Sequence, residues 1–371
     1  MSAMNKRSLL PGERIRILVV DDSVVIRRLV THALEEDPEI EVVGSAANGL
    51  IALLRMPQFT PHVLTLDIEM PVMDGLETLR RLRRDYPQTR VIMFSTLSVR
   101  GAAVTLEALA LGADDYVTKA SNEGSLDSSM KRLREELVPK IKQFFRMPGQ
   151  GRVPSLQESV QAAAAPPLWQ CTPSLQKARV RPKILVIGVS TGGPTALATI
   201  LPQLASGFRL PVLVVQHMPP LFTRFLAERL HSSCQLTVAE ARQDDRVMAG
   251  KILIAPGDFH LKVAVRGDDI HVNLDQSAPQ NFCRPAVDAL FSSIADVYGG
   301  AVIAVILTGM GHDGLRGVEI LKAQGASILA QDEASSVVWG MPGAVANAGL
   351  ADCVLPLDEI VPEILRRTDR T

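Results

Sequence analysis

The chain has 371 residues, of which 47% are hydrophobic, so it is long enough for two or three globular domains with their own cores. Its 39 basic residues nearly balance its 40 acidic ones, and this balance excludes a general electrostatic attraction to nucleic acid or to anionic membranes. No apolar run approaches the ~18 residues of a transmembrane helix, and no apolar segment follows the basic start as it would in a signal peptide.

The four cysteines lie far apart in the sequence and form no C-x-x-C pair. They are Cys171, Cys234, Cys283 and Cys353. We therefore expect reduced thiols, which are typical of a cytoplasmic protein. A catalytic role for one of them is open, although a buried small side chain is the commoner role.

The first part of the chain alternates apolar strand patterns with helical patterns. Strands are predicted at residues 15–20, 39–44, 63–66, 90–94 and 116–117, and helices at 23–35, 48–55 and 124–145. Alternation of this kind predicts a parallel, doubly wound sheet of five strands with right-handed crossovers.

Polar residues stand at the carboxyl ends of these strands, where doubly wound sheets bind their ligands. They are Asp21, Asp22, Asp67, Ser95 and Lys119. Carboxylates that converge on one pocket repel one another unless a cation lies between them, and hard oxygen ligands suit Mg²⁺. A metal, a lysine and a hydroxyl around one aspartate would stabilise a transferred phosphoryl group. Any single aspartate after a strand is more commonly a helix N-cap.

Two segments, Leu18–Ser23 and Asp67–Gly75, resemble the motifs of response-regulator receiver domains. The resemblance covers residues 13–146 and implies a flavodoxin-like fold in which a histidine kinase phosphorylates Asp67. It also implies that Mg²⁺ is held by Asp22, Asp67 and the backbone carbonyl of Glu69, with Asp21 nearby. Ser95 and Lys119 would take the roles of the switch hydroxyl and the switch lysine.

One position departs from the receiver pattern. Receivers usually carry a cis proline after this lysine, and here Ala120 follows Lys119. Because a cis bond before a non-proline residue costs about 2.5–4 kcal/mol, we expect a trans bond and a slightly rearranged loop.

Residues 147–181 lose all periodicity and are rich in proline, glycine and alanine. This composition predicts a flexible linker. Its end is basic, with Lys177, Arg179 and Arg181, and a solvated tether is a simpler interpretation of these charges than a docking site.

A buried strand at residues 184–187 opens the second half of the chain, and Gly188-Val-Ser190-Thr-Gly192 follows it. This G-x-S-x-G pattern is typical of a strand–turn–helix elbow that presents a serine hydroxyl, with Pro194 in the first turn of the helix. A plain glycine-rich turn, or a phosphate cradle at the helix N-terminus, fits the same residues.

Two further buried strands, at 210–215 and 301–307, lead to His217 and Asp313. One βα unit separates Ser190 from His217, so both residues are expected at the same edge of a parallel sheet, and Asp313 arrives there too. Serine, histidine and aspartate at one edge form a nucleophile, its base and the residue that orients the base. The order Ser, His, Asp differs from that of α/β-hydrolases. His260 and His312 are rival bases, but His260 is better explained as a structural or rim residue.

The loops of this half add weaker candidates. Glycines around Met310 would let backbone N–H groups approach an oxyanion, or would only build a tight turn. Arg284 could bind a carboxylate, or cap structure. The segment 339–342 is expected to be a surface loop near the pocket, with core packing as the alternative, and the pair at 244–245 is expected to be a turn.

Residues 182–367 resemble the catalytic domain of chemotaxis protein-glutamate methylesterases. The resemblance rests on the motifs at 188–193, 216–219, 255–257, 284–285 and 308–314. It implies a three-layer α/β domain with a mostly parallel sheet, which hydrolyses γ-glutamyl methyl esters on chemoreceptors, releases methanol and deamidates certain receptor glutamines. Ser190, His217 and Asp313 take the triad positions, the backbone amides of Met310 and His217 face the oxyanion, and the esterase reaction needs no cofactor. Relatives often carry histidine at the position of Cys283, so substrate contacts are expected to differ there.

Two other classes of protein fit the residues less well. A nucleotide-binding protein that used residues 190–193 as a phosphate cradle would show G-x-G-x-x-G or a P-loop lysine there, and the segment 188–195 contains neither. A regulator without enzymatic activity would keep the receiver and lose the triad, but all three triad residues are present. The sequence therefore predicts a cytoplasmic, phosphorylation-regulated esterase whose partners are chemoreceptors and a histidine kinase, with no nucleic acid.

Overall fold

The computed structural model describes residues 7–119, 126–146, 170–171 and 181–369. The chain divides into two compact units, and its two large sheets have five and eight strands. Most of the predicted linker, including Lys177 and Arg179, lies outside the described residues, and so does Ala120, the residue after the predicted switch lysine. Among the helices that are described, none combines the length and hydrophobicity needed to cross a membrane.

Up to residue 146 the five predicted strands and three predicted helices are present, together with two helices and two short strands that the sequence did not predict. In chain order they are β1 (Arg7–Ser8), β2 (Ile15–Val20), α1 (Val24–Glu35), β3 (Ile40–Ala46), α2 (Gly49–Phe59), β4 (Val63–Asp67), α3 (Gly75–Asp85), β5 (Arg90–Ser95), α4 (Val99–Ala110), β6 (Asp115–Thr118), α5 (Leu126–Lys142) and β7 (Phe145–Arg146).

The five-stranded sheet has the order β3-β2-β4-β5-β6, and all its neighbouring strands are parallel. The prediction of a five-stranded parallel sheet is confirmed. Side chains set the helix starts: Asn48 caps α2 by accepting from the Ile51 N–H at 3.0 Å, and Asp74 caps α3 by accepting from the Glu77 N–H at 2.8 Å. Helix α2 runs further than predicted, through Pro57, and ends at Thr60 in a left-handed conformation.

The second half of the chain contains ten strands and six α-helices among the described residues. They are β8 (Gln170–Cys171), β9 (Ile184–Val189), α6 (Gly193–Ile200), β10 (Val212–Gln216), α7 (Phe222–His231), β11 (Thr237–Glu240), β12 (Lys251–Ile254), β13 (His260–Arg266), β14 (Asp269–Asp275), α8 (Val287–Tyr298), β15 (Val302–Ile306), α9 (Leu315–Ala323), β16 (Ser327–Gln331), α10 (Met341–Asn347), β17 (Cys353–Leu355) and α11 (Leu357–Asp369). A short 3-10 helix, Leu201–Gln203, follows α6.

The eight-stranded sheet has the order β11-β12-β10-β9-β15-β16-β17-β8, and β13 and β14 form a separate antiparallel hairpin. Ile184 and Val186 of β9 belong to a buried cluster that also contains residues of α8, α9 and α10. The alternate residues Leu185 and Ile187 face the other side of the sheet and are also fully buried, so both faces are covered. The predicted α/β architecture with a mostly parallel sheet is confirmed.

Two local predictions for this half are wrong. The segment 339–342 was expected to be a surface loop, but Met341 begins α10 and is fully buried. Cys353 is disulfide-bonded rather than reduced, whereas Cys234 and Cys283 are free thiols. The wide spacing of the cysteines concealed the bond, because a pair that is distant in sequence leaves no local motif.

Candidate functional site

Three aspartates meet at the carboxyl edge of the five-stranded sheet. Asp21 and Asp22 follow β2, and Asp67 ends β4, the neighbouring strand. Each offers a carboxylate oxygen, and these oxygens lie within 4.8 Å of one another. Asp21 and Asp67 are buried while Asp22 is exposed, so the cluster opens to solvent on one side. The predicted convergence of these residues is confirmed.

Lys119 lies against the two buried carboxylates. Its Nζ is 2.9 Å from Asp21 Oδ2 and 2.8 Å from Asp67 Oδ1. Burial raises the pKa of Asp67 to about 6, because the attraction of Lys119 only partly offsets desolvation and the repulsion of Asp21. A carboxylate in this setting gains from any additional cation, and that gain is the electrostatic basis of a metal site.

Ser95 and Glu69 complete the predicted set. Ser95 is buried at the end of β5, and its carbonyl accepts from the Lys119 N–H at 2.7 Å. The Ser95 hydroxyl and the Lys119 side chain therefore come from the ends of two neighbouring strands. Glu69 has an exposed side chain just after Asp67. The role of its carbonyl as a metal ligand stays a prediction. A cluster of hard carboxylate oxygens that is open on one side fits Mg²⁺ with retained water.

Ser190 stands at the corresponding edge of the eight-stranded sheet, directly after β9. Its N–H donates to the Thr308 carbonyl at 3.0 Å, and its own carbonyl accepts from the Gly193 N–H and from the side chain of Gln216. Gly192 has φ 77°, a left-handed conformation that ends the strand abruptly and begins α6. These contacts fix the serine backbone at a sharp strand–turn–helix corner and leave the side chain half-buried.

Gly309 packs directly on this serine. A Cβ atom at Gly309 would lie 2.8 Å from Ser190 Cβ and 2.5 Å from Met341 Sδ. Only a glycine therefore allows the segment after β15 to come this close to Ser190. Gly309, one of the two glycines that flank Met310, thus has a packing role here, which is more than the building of a tight turn.

His217 and Asp313 form a hydrogen-bonded pair. Strand β10 pairs with β9 so that Gln216 is opposite Val189, which places His217 beside Ser190 in the register. The His217 Nε2 atom is 2.7 Å from Asp313 Oδ2. Because a carboxylate only accepts, Nε2 carries the proton and Nδ1 has the free lone pair in the neutral ring. Among the described residues, none forms a hydrogen bond with Ser190 Oγ.

Asp313 is an unusually well-satisfied buried carboxylate. Besides His217, its oxygens accept from the N–H groups of Val287 at 2.6 Å, Asp288 at 3.1 Å and Gly314 at 3.0 Å. Two of these donors are the first residues of α8, whose N-terminus lacks a side-chain cap of its own. Asp313 therefore serves as the cap of α8 and as the partner of His217 at once.

The pKa values of His217 and Asp313 are shifted in opposite directions. Burial alone would lower the pKa of His217, but the hydrogen bond to Asp313 and the neighbouring Cys283 raise it to about 10. Burial would raise the pKa of Asp313, but the hydrogen bonds from His217, Val287 and Asn281 hold it below its ordinary value. An anionic carboxylate behind a basic imidazole is the arrangement that prepares a histidine to accept a proton.

A turn that the sequence did not reveal lies against this pair. Gln280 and Cys283 exchange both backbone hydrogen bonds, and Asn281 and Phe282 between them have φ 50° and 63°. The Asn281 amide donates to Asp313 Oδ1 at 2.9 Å and to Asp288 Oδ2 at 2.8 Å. Cys283 Sγ is 3.6 Å from His217 Nδ1. The tip residue, Phe282, is fully exposed.

The two predicted oxyanion donors differ in the structure. Among the described residues, none accepts from the Met310 N–H. Met310 is partly exposed and directly follows Gly309, the residue that packs on Ser190. The His217 N–H instead donates to the Val189 carbonyl at 3.2 Å, because the sheet ladder extends one residue past Gln216. That amide therefore already has an acceptor, and we do not retain it as an oxyanion donor.

The remaining candidates have structural roles. His260 is fully buried, accepts from the Ala286 N–H and contacts the Ala278 carbonyl, while His312 is exposed. Arg284 binds the carboxylate of Asp258 and two backbone carbonyls, so its guanidinium is already occupied. Asp244 is left-handed and lies in the predicted turn.

Comparisons with known proteins show the family of the chain. Residues 185–364 match the family model "CheB methylesterase" and residues 17–131 match "Response regulator receiver domain". A protein-glutamate methylesterase/protein-glutamine glutaminase of Trichodesmium erythraeum is 48% identical over 95% of this chain and 99% of its own length. A protein of the same name from Nocardioides sp. is 49% identical over 97% of each chain. The crystal structure of the Thermotoga maritima CheB methylesterase catalytic domain is 46% identical, covers 50% of this chain and 99% of its own, and has a TM-score of 0.49.

Proposed function

This chain belongs to the family of CheB methylesterases that carry a receiver domain, and from that premise we propose how its own residues perform and regulate the reaction. The protein is a protein-glutamate methylesterase and protein-glutamine glutaminase of a chemotaxis-type pathway. Residues 13–146 are the regulatory receiver domain and residues 182–367 are the catalytic domain. The cytoplasmic location stays a prediction.

Ser190 is the nucleophile of the reaction. As its Oγ attacks the γ-ester carbonyl of a glutamyl side chain, His217 Nδ1 takes the hydroxyl proton. Asp313 holds the Nε2 proton throughout and stabilises the imidazolium that forms. The 2.7 Å bond between His217 and Asp313 is the single observation that supports this assignment best, because it fixes which nitrogen is the base.

The tetrahedral intermediate places a negative charge on the former carbonyl oxygen. The Met310 N–H is the donor that faces it, and a donor of this kind is worth roughly 10²–10³ in rate. His217 then returns its proton to the leaving oxygen, and methanol departs from the acyl-enzyme. Water, activated by the same histidine, releases the glutamate side chain. With a glutamine substrate the leaving group is ammonia.

The receiver regulates this chemistry by accepting a phosphoryl group on Asp67 from a histidine kinase. Asp22, Asp67 and the Glu69 carbonyl would hold Mg²⁺, which neutralises charge on the transferred group when it is bound. Lys119 contributes a second positive charge to the same carboxylate, and Ser95 supplies a hydroxyl on the next strand. Methylated chemoreceptors are the proposed substrates.

The proposal is tested with receptor membranes that carry labelled methyl esters. The wild-type protein should release labelled methanol, and Ser190→Ala should abolish release while leaving the fold intact. Circular dichroism of both proteins controls for folding. If Ser190→Ala kept most of the activity, the assignment of the nucleophile would be wrong.

A further inference from the structure

Cys283 is a thiol in contact with the base of the catalytic pair. Its Sγ lies 3.6 Å from Nδ1 of His217, a separation at which a thiol donates to an imidazole nitrogen. The other ring nitrogen is bound to Asp313. The lone pair that must serve Ser190 therefore faces a sulfur atom in the resting enzyme.

The fold holds this contact in place. Cys283 closes a tight turn by two backbone hydrogen bonds with Gln280, at 3.0 and 2.8 Å. The adjacent Asn281 anchors the same turn to Asp313. These bonds hold the Cys283 backbone beside His217, so the sulfur–imidazole contact belongs to the architecture of the site.

A histidine backed by a buried carboxylate activates a thiol in the same way as it activates a hydroxyl. The thiolate is the reactive form of cysteine, and a base that takes the thiol proton generates it. Cys283 is also among the causes that raise the pKa of His217, which reflects the contact between the two side chains. Cys283 is also only partly buried, so small reagents can reach it.

We propose that Cys283 is a reactive thiol coupled to His217, and that its oxidation by a hydroperoxide to sulfenic acid inactivates the esterase. The thiol proton passes to Nδ1, and the sulfur attacks one peroxide oxygen. The O–O bond breaks as the S–O bond forms, and the departing oxygen takes the proton from Nδ1 and leaves as water or alcohol. Sulfur is oxidised by two electrons and the peroxide is reduced by two.

Oxidation would inactivate because the added oxygen lies next to Nδ1. A sulfenic acid there hydrogen-bonds to the base and fills the space from which Nδ1 must reach Ser190. The predicted loss of esterase activity rests on the proposed function of this site. The predicted reactivity of the Cys283 thiol rests only on its contact with His217 and is measured without any esterase assay. The two predictions can therefore fail separately.

The chain provides a matched control in Cys234, which is also a free, partly buried thiol. Burial raises the pKa of Cys234, and its thiol is hydrogen-bonded to Ser233 and makes no contact with His217. Cys283 and Cys234 are therefore thiols of similar exposure, and only Cys283 is in contact with the imidazole of His217.

The test treats the full-length protein with hydrogen peroxide, traps sulfenic acid with dimedone and measures modification of each cysteine by mass spectrometry. We expect Cys283 to react about tenfold faster than Cys234 or more, and His217→Ala to remove that advantage. Equal rates at the two cysteines, or an unchanged rate in His217→Ala, would overturn the proposal.

Activity gives the second readout. Peroxide should inactivate the wild-type protein in step with modification of Cys283, and a thiol reductant should restore it. Cys283→Ala, compared with its own untreated sample, should resist peroxide. Inactivation of Cys283→Ala at the wild-type rate would contradict the proposal, and if this variant has too little activity to assay, the labelling ratio decides alone.

Discussion

Replacing Asp313 by asparagine tests the pairing at the centre of the site. Asparagine has the same shape but only one acceptor oxygen, whereas both oxygens of Asp313 are in use. With the amide oxygen at the Oδ1 position, the donors Asn281, Asp288 and Gly314 stay satisfied. The amide nitrogen then faces His217 and the N–H of Val287.

Two consequences follow from this orientation. The buried Val287 N–H loses its acceptor, which costs about 1–3 kcal/mol of folding stability. The amide nitrogen is itself a donor, so His217 must present a lone pair at Nε2 and move its proton to Nδ1. The base that Ser190 needs is then absent, and we expect kcat/KM to fall by roughly 10⁴, or about 5.5 kcal/mol of transition-state stabilisation.

The pH dependence provides an independent readout. The wild-type His217 has a raised pKa, so activity should rise with pH as Nδ1 loses its proton. The same shift stabilises the fold below the unfolded pKa, and this stability is lost as pH rises through the folded pKa. Removing the Asp313 charge lowers the pKa of His217. The rising limb of the residual activity should therefore move to lower pH, and the stability of the fold should depend less on pH.

The assay compares kcat/KM, its pH profile and thermal unfolding for wild-type, Asp313→Asn and the control Asp288→Asn. Asp288 is also buried and binds Asn281 and Gly317, but no contact joins it to His217. The control should lose stability with a much smaller loss of activity. Comparable kcat/KM values in the two variants, or an unchanged rising limb in Asp313→Asn, would refute the reasoning.

Four further predictions concern other parts of the protein. Asp67→Asn should prevent phosphorylation. Because burial raises the pKa of Asp67 to about 6, ionisation of this carboxylate destabilises the folded protein. The variant should therefore melt at a higher temperature than wild-type at neutral pH, and this difference should disappear in acid below the unfolded pKa. Gly309→Ala should lower kcat/KM about tenfold or more with the fold retained, because the new Cβ meets Ser190 Cβ at 2.8 Å. Phe282→Gly should raise the free energy of unfolding by up to about 1 kcal/mol, since it relieves a left-handed phenylalanine that buries nothing. Deleting residues 1–146 should raise basal methanol release and make it insensitive to a phosphodonor.

Each of these predictions has a contrary result. Phosphate uptake by Asp67→Asn at the wild-type rate would place the acceptor elsewhere. An active Gly309→Ala would mean that the segment around Met310 can retreat without cost. Lower stability in Phe282→Gly would show that the phenyl ring has a folding role. A truncated protein slower than the unphosphorylated full-length chain would favour recruitment by the receiver over inhibition.

The sequence predicted the sites best where they follow from the geometry of parallel sheets. Asp21, Asp67 and Lys119 each end a strand, and the carboxyl ends of parallel strands share an edge. The same rule placed His217 and Asp313 together across 96 residues of sequence. Their catalytic roles were assigned from residue type and order, and these roles stay predictions.

Contacts made by irregular segments were not predictable from the pattern. Asn281 and Phe282 form a tight turn in which both central residues are left-handed, and such turns normally carry glycine at the second position. With phenylalanine there, no local signal marked the turn. The contacts of Asn281 with Asp313 and of Cys283 with His217 therefore emerged only with the tertiary structure. The strands at 237–240 and 251–254 were missed because each has only four residues.

The identity of the residue that carries the acyl group tests the central claim most directly. A peptide with a γ-methyl glutamate would be mixed with the wild-type protein, quenched in acid within milliseconds, digested and examined by mass spectrometry. We expect a glutamyl ester on Ser190, its accumulation in step with the first burst of methanol, and its absence in Ser190→Ala. An adduct on Cys283 or on any other residue, or a burst of methanol with no adduct on Ser190, would contradict that claim.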